Sequence, residues 1–139
     1  TLTHLGPPGA GQVCKSANQL LVAATLQAVS EALALGRKAG LDPETMRQAL
    51  LGGSARSFVL VNHAKRIIEN ASAPGFRAEL MRKDLRLAAA AARDHAVYAP
   101  ATALAAQMLE ALVNSGRGGS DSSALGALVA ELSGLASAA

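Results

Sequence analysis

After the stretch His4-Leu5-Gly6-Pro7-Pro8-Gly9-Ala10-Gly11, the chain runs apolar to Lys38 and stops at Gly40, a residue suited to the left-handed position that closes a helix. A helix of nearly thirty residues would be roughly 40 Å long at a rise of ~1.5 Å per residue, longer than any other segment here could form. A chain of 139 residues has room for one core, so residues 1–139 are read as a single domain with this helix as its spine.

The side chains available to cover that spine point the same way. Half the chain is apolar, yet Phe58, Phe76 and Tyr98 are its only Phe, Tyr or Trp residues. The core must therefore be built from Ala, Leu and other residues that favour helices over strands. Gly and Pro punctuation divides the remainder. Asp42-Pro43-Glu44 reads as a cap, a first-turn proline and a first-turn acid opening a short helix that Gly52-Gly53 closes. A third helix is expected over Arg56–Glu69, a loop over Asn70–Gly75, a fourth helix over Phe76–His95 and a fifth from Pro100 to near Gly116. Residues 116–120 link to a last helix, capped by Asp121 or Ser122 and running to about Leu132, with a frayed end beyond. No segment alternates well enough to be a strand. The fold class is all-α: an irregular bundle of about six helices around a long central one.

Several function classes are disfavoured. The apolar stretch Ala17–Leu35 carries Asn18, Gln19, Gln27, Ser30 and Glu31, which argues against a membrane span. Thirteen Lys and Arg against ten acids give a net charge of +3, but the basic residues are scattered among acids and lack aromatic platforms, so nucleic acid is not the expected partner. Cys14 is the single cysteine, which excludes an internal disulfide, and nothing at Thr1 reads as a secretory leader; the cytoplasm is the expected compartment. A lone cysteine is more often a small buried side chain than a reactive one. His4, His63 and His95 have no ligand-like spacing, so no metal is expected, and the serines at 54, 57, 120, 122 and 123 read as helix caps.

Two polar anomalies remain. On a helical wheel Val22, Leu26, Val29 and Leu33 form an apolar stripe, and Lys15 lies in line with it, Asn18 one turn on at its edge and Gln19 beside it. Partial burial and the positive end of the helix would both disfavour the charged amine, giving Lys15 a proton it can release. The plainer reading has Lys15 snorkelling into solvent from a frayed first turn. The preceding Gly6, Gly9 and Gly11, spaced GxxGxG, permit close approach of another chain or a ligand, but they are not in dinucleotide-fingerprint order. On the fourth helix, Asp84 projects from an apolar arc of Leu80, Met81, Leu85, Leu87, Ala88 and Ala91, with Lys83 at its margin and Glu79, Arg82, Arg86 and Arg93 on the solvated face. A carboxylate there needs a partner, and a purely structural tie between two helices explains it about as well as a functional site does.

The motifs Gly6-Pro-Pro-Gly-Ala-Gly-Gln-Val-Cys-Lys-Ser-Ala-Asn-Gln19, Glu31-Ala-Leu-Ala-Leu, Gly40-Leu-Asp-Pro, Pro74-Gly-Phe, Lys83-Asp-Leu and Asp121-Ser-Ser-Ala occur in order over nearly the whole chain. Together they resemble the C-terminal helical domain of the β-hydroxyacid dehydrogenases, a family that includes 3-hydroxyisobutyrate dehydrogenases, tartronate semialdehyde reductases and glyoxylate reductases. The Lys15-Ser-Ala-Asn-Gln version is most like the tartronate semialdehyde reductase branch. The resemblance implies a fold like the C-terminal domain of 6-phosphogluconate dehydrogenase and reversible hydride transfer between a small 2- or 3-hydroxy acid and its aldehyde or keto acid, using NAD or NADP. It implies Lys15 as catalytic acid and base, Asn18 and Gln19 as substrate-binding residues, and Lys83, Asp84 and Phe76 on the cofactor side. Nothing in the chain resembles the family's N-terminal Rossmann domain. That domain is the implied partner and the main holder of the cofactor, so the chain alone is expected to bind NAD(P)H weakly or not at all. Self-association is also implied, and a helical oligomerisation module without chemistry of its own is the alternative.

Overall fold

The structure is a computed structural model that describes residues 2–71 and 73–136. Six α-helices follow one another: α1 Ala10–Lys38, α2 Pro43–Leu51, α3 Phe58–Ile68, α4 Ala78–Asp94, α5 Pro100–Leu112 and α6 Leu125–Leu132. A π-helical turn, Val113–Arg117, extends α5, and a 3-10 turn, Ser122–Ala124, leads into α6. Among the described residues there is no strand, only an isolated bridge between Arg77 and Asp121. The expected all-α bundle around a long central helix is what forms, since α1 touches each of the other five helices.

Each boundary has a local cause. Gly9 sits before α1 with a φ of 97°, so the helix begins at Ala10, before the last of the three early glycines. At its far end Gly40 takes a φ of 81°, while Leu41 N donates to Gly36 O and Gly40 N to Arg37 O, the paired bonds of a Schellman ending. Asp42 caps α2 through Thr45 N at 2.7 Å, with Pro43 in the first turn. Ser57 caps α3 through Leu60 N, which moves the start of that helix from the expected Arg56 to Phe58. Helix α4 opens at Ala78, two residues later than expected, because the backbones of Gly75 and Phe76 are engaged elsewhere. Gly116, at a φ of 85°, breaks the regular helix past Leu112. The expected frayed end is described only through Ala136; residues 137–139 lie outside the described residues, as does Ser72 within the expected loop.

The core gathers one face of each long helix: Leu26 and Leu33 of α1, Leu60 of α3, Met81 and Leu85 of α4, Leu109 and Leu112 of α5, and Leu125 of α6. Large aliphatic side chains buried to this degree contribute on the order of 2 kcal/mol each by removing apolar area from water. Burial along α1 is uneven. Ala23 is its first buried residue, and most residues from Ala10 to Asn18 are exposed. By length and composition α1 could cross a membrane, but its second half is the centre of this bundle.

The arc expected on α4 is corrected in part. Met81, Leu85 and Ala88 are buried, whereas Leu80 and Leu87 are exposed. The face expected to be merely solvated meets α5 instead, because Arg86 and Arg82 both pair with Glu110, at 2.5 and 3.5 Å. Arg47, to which the sequence pattern gives no special place, is buried. Its guanidinium is held by Glu44 at 2.8 Å and donates to the carbonyl of Val61, tying α2 to α3.

Candidate functional site

The first turns of α1 and the middle of α4 meet through side chains that the sequence singles out. Gln19 Nε2 donates to Asp84 Oδ2 at 2.9 Å, across 65 residues of chain. Gln19 Oε1 accepts from Asn18 Nδ2 at 3.1 Å, and Lys83 Nζ stands 3.8 Å from the other oxygen of Asp84. The result is a continuous chain of polar contacts: Asn18, Gln19, Asp84, Lys83. Its exposure is graded, for Asn18 and Lys83 are open to solvent, Gln19 is half-buried and the Asp84 side chain is 11% exposed. The carboxylate in the apolar arc thus has its partner, an amide from α1.

Lys15 lies one turn before Asn18 and Gln19 on the same helix, so helical periodicity places the three together. It is exposed. The partial burial expected for it is absent, because the bundle covers α1 only from about Leu20 onward and this turn projects past it. Cys14 is likewise exposed, not a small core side chain. Phe76 is placed differently from the others: it packs against the core at the start of α4 and takes no part in the polar chain.

Phe76 belongs to a second cluster, around Asp121. Oδ2 of Asp121 accepts from the backbone amides of Gly75 at 2.8 Å and Phe76 at 3.0 Å, while Oδ1 accepts from Ser123 N at 3.0 Å and stands 3.2 Å from Arg66 Nε. Burial pushes the Asp121 carboxyl up, but the hydrogen bonds from Ser123, Phe76 and Gly75 outweigh it and bring it down to about 2. Asp121 is the helix cap its place in the sequence suggests, and it also anchors the loop before α4, a role no local pattern signals. The Pro74-Gly-Phe and Asp121-Ser-Ser-Ala motifs are two halves of this one contact. Ser122 and Ser123, which the sequence marks as helix caps, are buried beside it.

A pocket of about 410 Å³ lies elsewhere, lined by Arg37, Arg66, Arg117, Asp121 and Glu131 among others. Arg37 is 22 residues beyond Lys15 on α1, roughly 33 Å along a helix rising ~1.5 Å per residue. Two of the three arginines in this pocket are already paired, Arg117 with Glu131 at 2.9 Å and Arg66 with Asp121, and Arg37 donates to the carbonyl of Ala136. The polar chain at the open end of α1 is therefore the better candidate site, presented on an open surface.

The chain is similar to known proteins over most of its length. It is 44% identical over 124 residues to 2-hydroxy-3-oxopropionate reductase of Escherichia coli strain K12, which covers 89% of this chain and 42% of that protein. It is 38% identical over 123 residues to 2-(hydroxymethyl)glutarate dehydrogenase of Eubacterium barkeri, covering 88% and 41%. Among solved structures, 3-hydroxyisobutyrate dehydrogenase of Mycobacterium tuberculosis with L-serine superposes at a TM-score of 0.84 and 28% identity, covering 91% of this chain and 46% of that one. The enzyme of the same name from Salmonella typhimurium gives 0.83 and 28%, covering 87% and 42%. The chain thus spans about two fifths of the length of the curated relatives it matches. Residues 9–129 match the family model described as NAD-binding of NADP-dependent 3-hydroxyisobutyrate dehydrogenase, and the chain belongs to that family.

Proposed function

We propose that the chain is the helical catalytic part of an NAD(P)-dependent β-hydroxyacid dehydrogenase acting on a small hydroxy acid of the 2-hydroxy-3-oxopropionate or 3-hydroxyisobutyrate type. The observation that carries this reading is the polar chain from Asn18 to Lys83, one helical turn from Lys15. Its position supports reading Lys15 as the source of a transferable proton, Asn18 as an orienting amide and Lys83 as a second cation, on a surface that a second domain can cover.

The residues present fit a nicotinamide cofactor on one side only. Lys83 is exposed and its charge is only loosely matched by Asp84, so it can lie against the cofactor. When bound, the nicotinamide supplies or accepts the hydride. The Lys15 ammonium donates its Nζ proton to the substrate oxygen as negative charge develops there, and takes it back from the hydroxyl in the reverse direction. Asn18 orients the substrate oxygens for that transfer. Water must be kept off Lys15 by something outside the exposed end of α1, which is the role assigned to a Rossmann domain of the same protein.

Exposed apolar side chains on α1, among them Val13, Leu21 and Leu35, support a second reading in which this helix is an association surface and the protein a homo-oligomer. The experiment that separates the readings is reduction of tartronate semialdehyde and glyoxylate by the chain within its full reading frame, with Lys15→Ala beside the parent. Loss of turnover by at least about a hundredfold with fold and cofactor binding retained is expected, the usual size of a general-acid contribution. Full activity in Lys15→Ala would leave association as the better account.

A further inference from the structure

The two amides beside Lys15 are not equivalent. A carboxylate offers acceptors only, so the end of the Gln19 side chain that faces Asp84 has to be its NH₂ group, and the geometry places Nε2 there at 2.9 Å. The carbonyl of Gln19 is thereby turned toward Asn18, where it accepts from Nδ2 at 3.1 Å. That bond in turn fixes which way the Asn18 amide points. Asn18 is left with its carbonyl Oδ1 and one N–H, and it is exposed. Gln19 is half-buried, with its carbonyl engaged by exposed Asn18 and one N–H by the part-buried Asp84.

We propose that Asp84 is a positioning residue that orients Asn18 through Gln19, which acts as the relay between them. This inference rests on the dehydrogenase reading above. A small hydroxy acid offers a hydroxyl that donates and a carboxylate that accepts, and the free carbonyl and N–H of Asn18 match that pair in one amide orientation only. With an amide in place of the carboxylate at position 84, either end of Gln19 could face it, and Asn18 would lose its fixed direction. Lys83, 3.8 Å from the other carboxylate oxygen, leaves the Gln19 contact undisturbed.

The test uses the full-length enzyme with tartronate semialdehyde as substrate, comparing the parent with D84N, Q19M and Q19E/D84N, each checked for folding by thermal melting. D84N and Q19M are expected to raise the substrate KM about three- to tenfold, the worth of one net hydrogen bond, and in Q19M, which leaves the contact between Asp84 and Lys83 in place, the cofactor KM is unchanged. Q19M carries the same test independently should D84N fold poorly. In Q19E/D84N the carboxylate sits at position 19 and accepts both from the amide introduced at position 84 and from Asn18. The substrate KM should then return to within about twofold of the parent, as less than half a hydrogen bond's worth is lost. A double variant no better than D84N, or a change confined to the cofactor KM, would overturn the relay. Turnover that depends on Lys15 but is indifferent to D84N and Q19M would overturn the relay alone. Absence of turnover in the parent would sink the dehydrogenase reading and the relay with it.

Discussion

A Cβ built on Gly126 would stand 2.5 Å from Cγ2 of Ile67, 2.7 Å from its Cγ1 and 2.8 Å from its Cδ1. Helix α6 thus carries a glycine where α3 presses a branched side chain into it. Gly126→Ala should cost about 1–3 kcal/mol by overpacking, because a β-branched side chain has few rotamers into which it can retreat. Gly36→Ala is the control. There the added methyl would meet the sulfur of Met46, the movable end of a flexible side chain. The gain of up to about 1 kcal/mol from replacing a mid-helix glycine should then offset the displacement. Thermal melts of the two variants should separate clearly, and equal melting temperatures would contradict the packing described for Ile67.

The anchoring of the 75–77 loop by Asp121 makes stability pH-dependent in a definite direction. The carboxyl is lowered to about 2 in the folded chain, and an unfolded aspartate titrates near ~3.9. The unfolded state therefore binds the proton first. The stabilisation is complete above about pH 4 and is lost as pH falls toward 2, amounting to about 2 kcal/mol. His63, pushed below its ordinary value of 6.5 by burial, adds a loss of the same sign that begins as pH falls through that value. Denaturant midpoints measured from pH 7 to pH 2 should fall in two stages. Asp121→Asn should already be about 1–3 kcal/mol less stable at pH 7 and should show a smaller lower stage, the remainder coming from Glu44, Asp42 and Glu110, whose carboxyls are also lowered by their hydrogen bonds. A lower stage undiminished in the variant would assign it to those groups alone.

The exposure of Lys15, Asn18 and Lys83 predicts how the chain behaves by itself. A cofactor held from one side only gains a fraction of the burial a ligand site normally provides. Titrating the 139-residue chain with NADH or NADPH, followed by nicotinamide fluorescence, should show no saturable binding in the micromolar range that tight sites occupy. Reduction of tartronate semialdehyde should stay at background. Micromolar binding with steady turnover would mean that the helical part builds a complete site.

Much of this protein was legible before folding. The long apolar run fixed α1, the Asp42-Pro43 and Pro100 signals fixed the starts of α2 and α5, and Gly40 closes α1 as its type allows. These features follow from rules acting over a few residues of chain: capping, proline's missing N–H, and glycine's access to positive φ. Periodicity also flagged Lys15, Asn18 and Asp84 as polar residues on apolar faces, since a wheel needs nothing but spacing. What spacing could not give was partnership. The bond from Gln19 to Asp84 spans 65 residues, that from Gly75 to Asp121 spans 46, and the pairing of Arg82 and Arg86 with Glu110 depends on how α4 lies on α5. Nor could a wheel tell that the first turns of α1 project past the bundle, leaving Lys15 and Cys14 exposed, or that Leu80 and Leu87 fall outside the core while Leu85 lies within it. Burial depends on which other helices arrive. Helices, caps and candidate polar residues can be read from the chain because local sterics and hydrogen bonding set them. Which of those residues meet and which face solvent emerges on folding, because packing between segments far apart in the chain sets it.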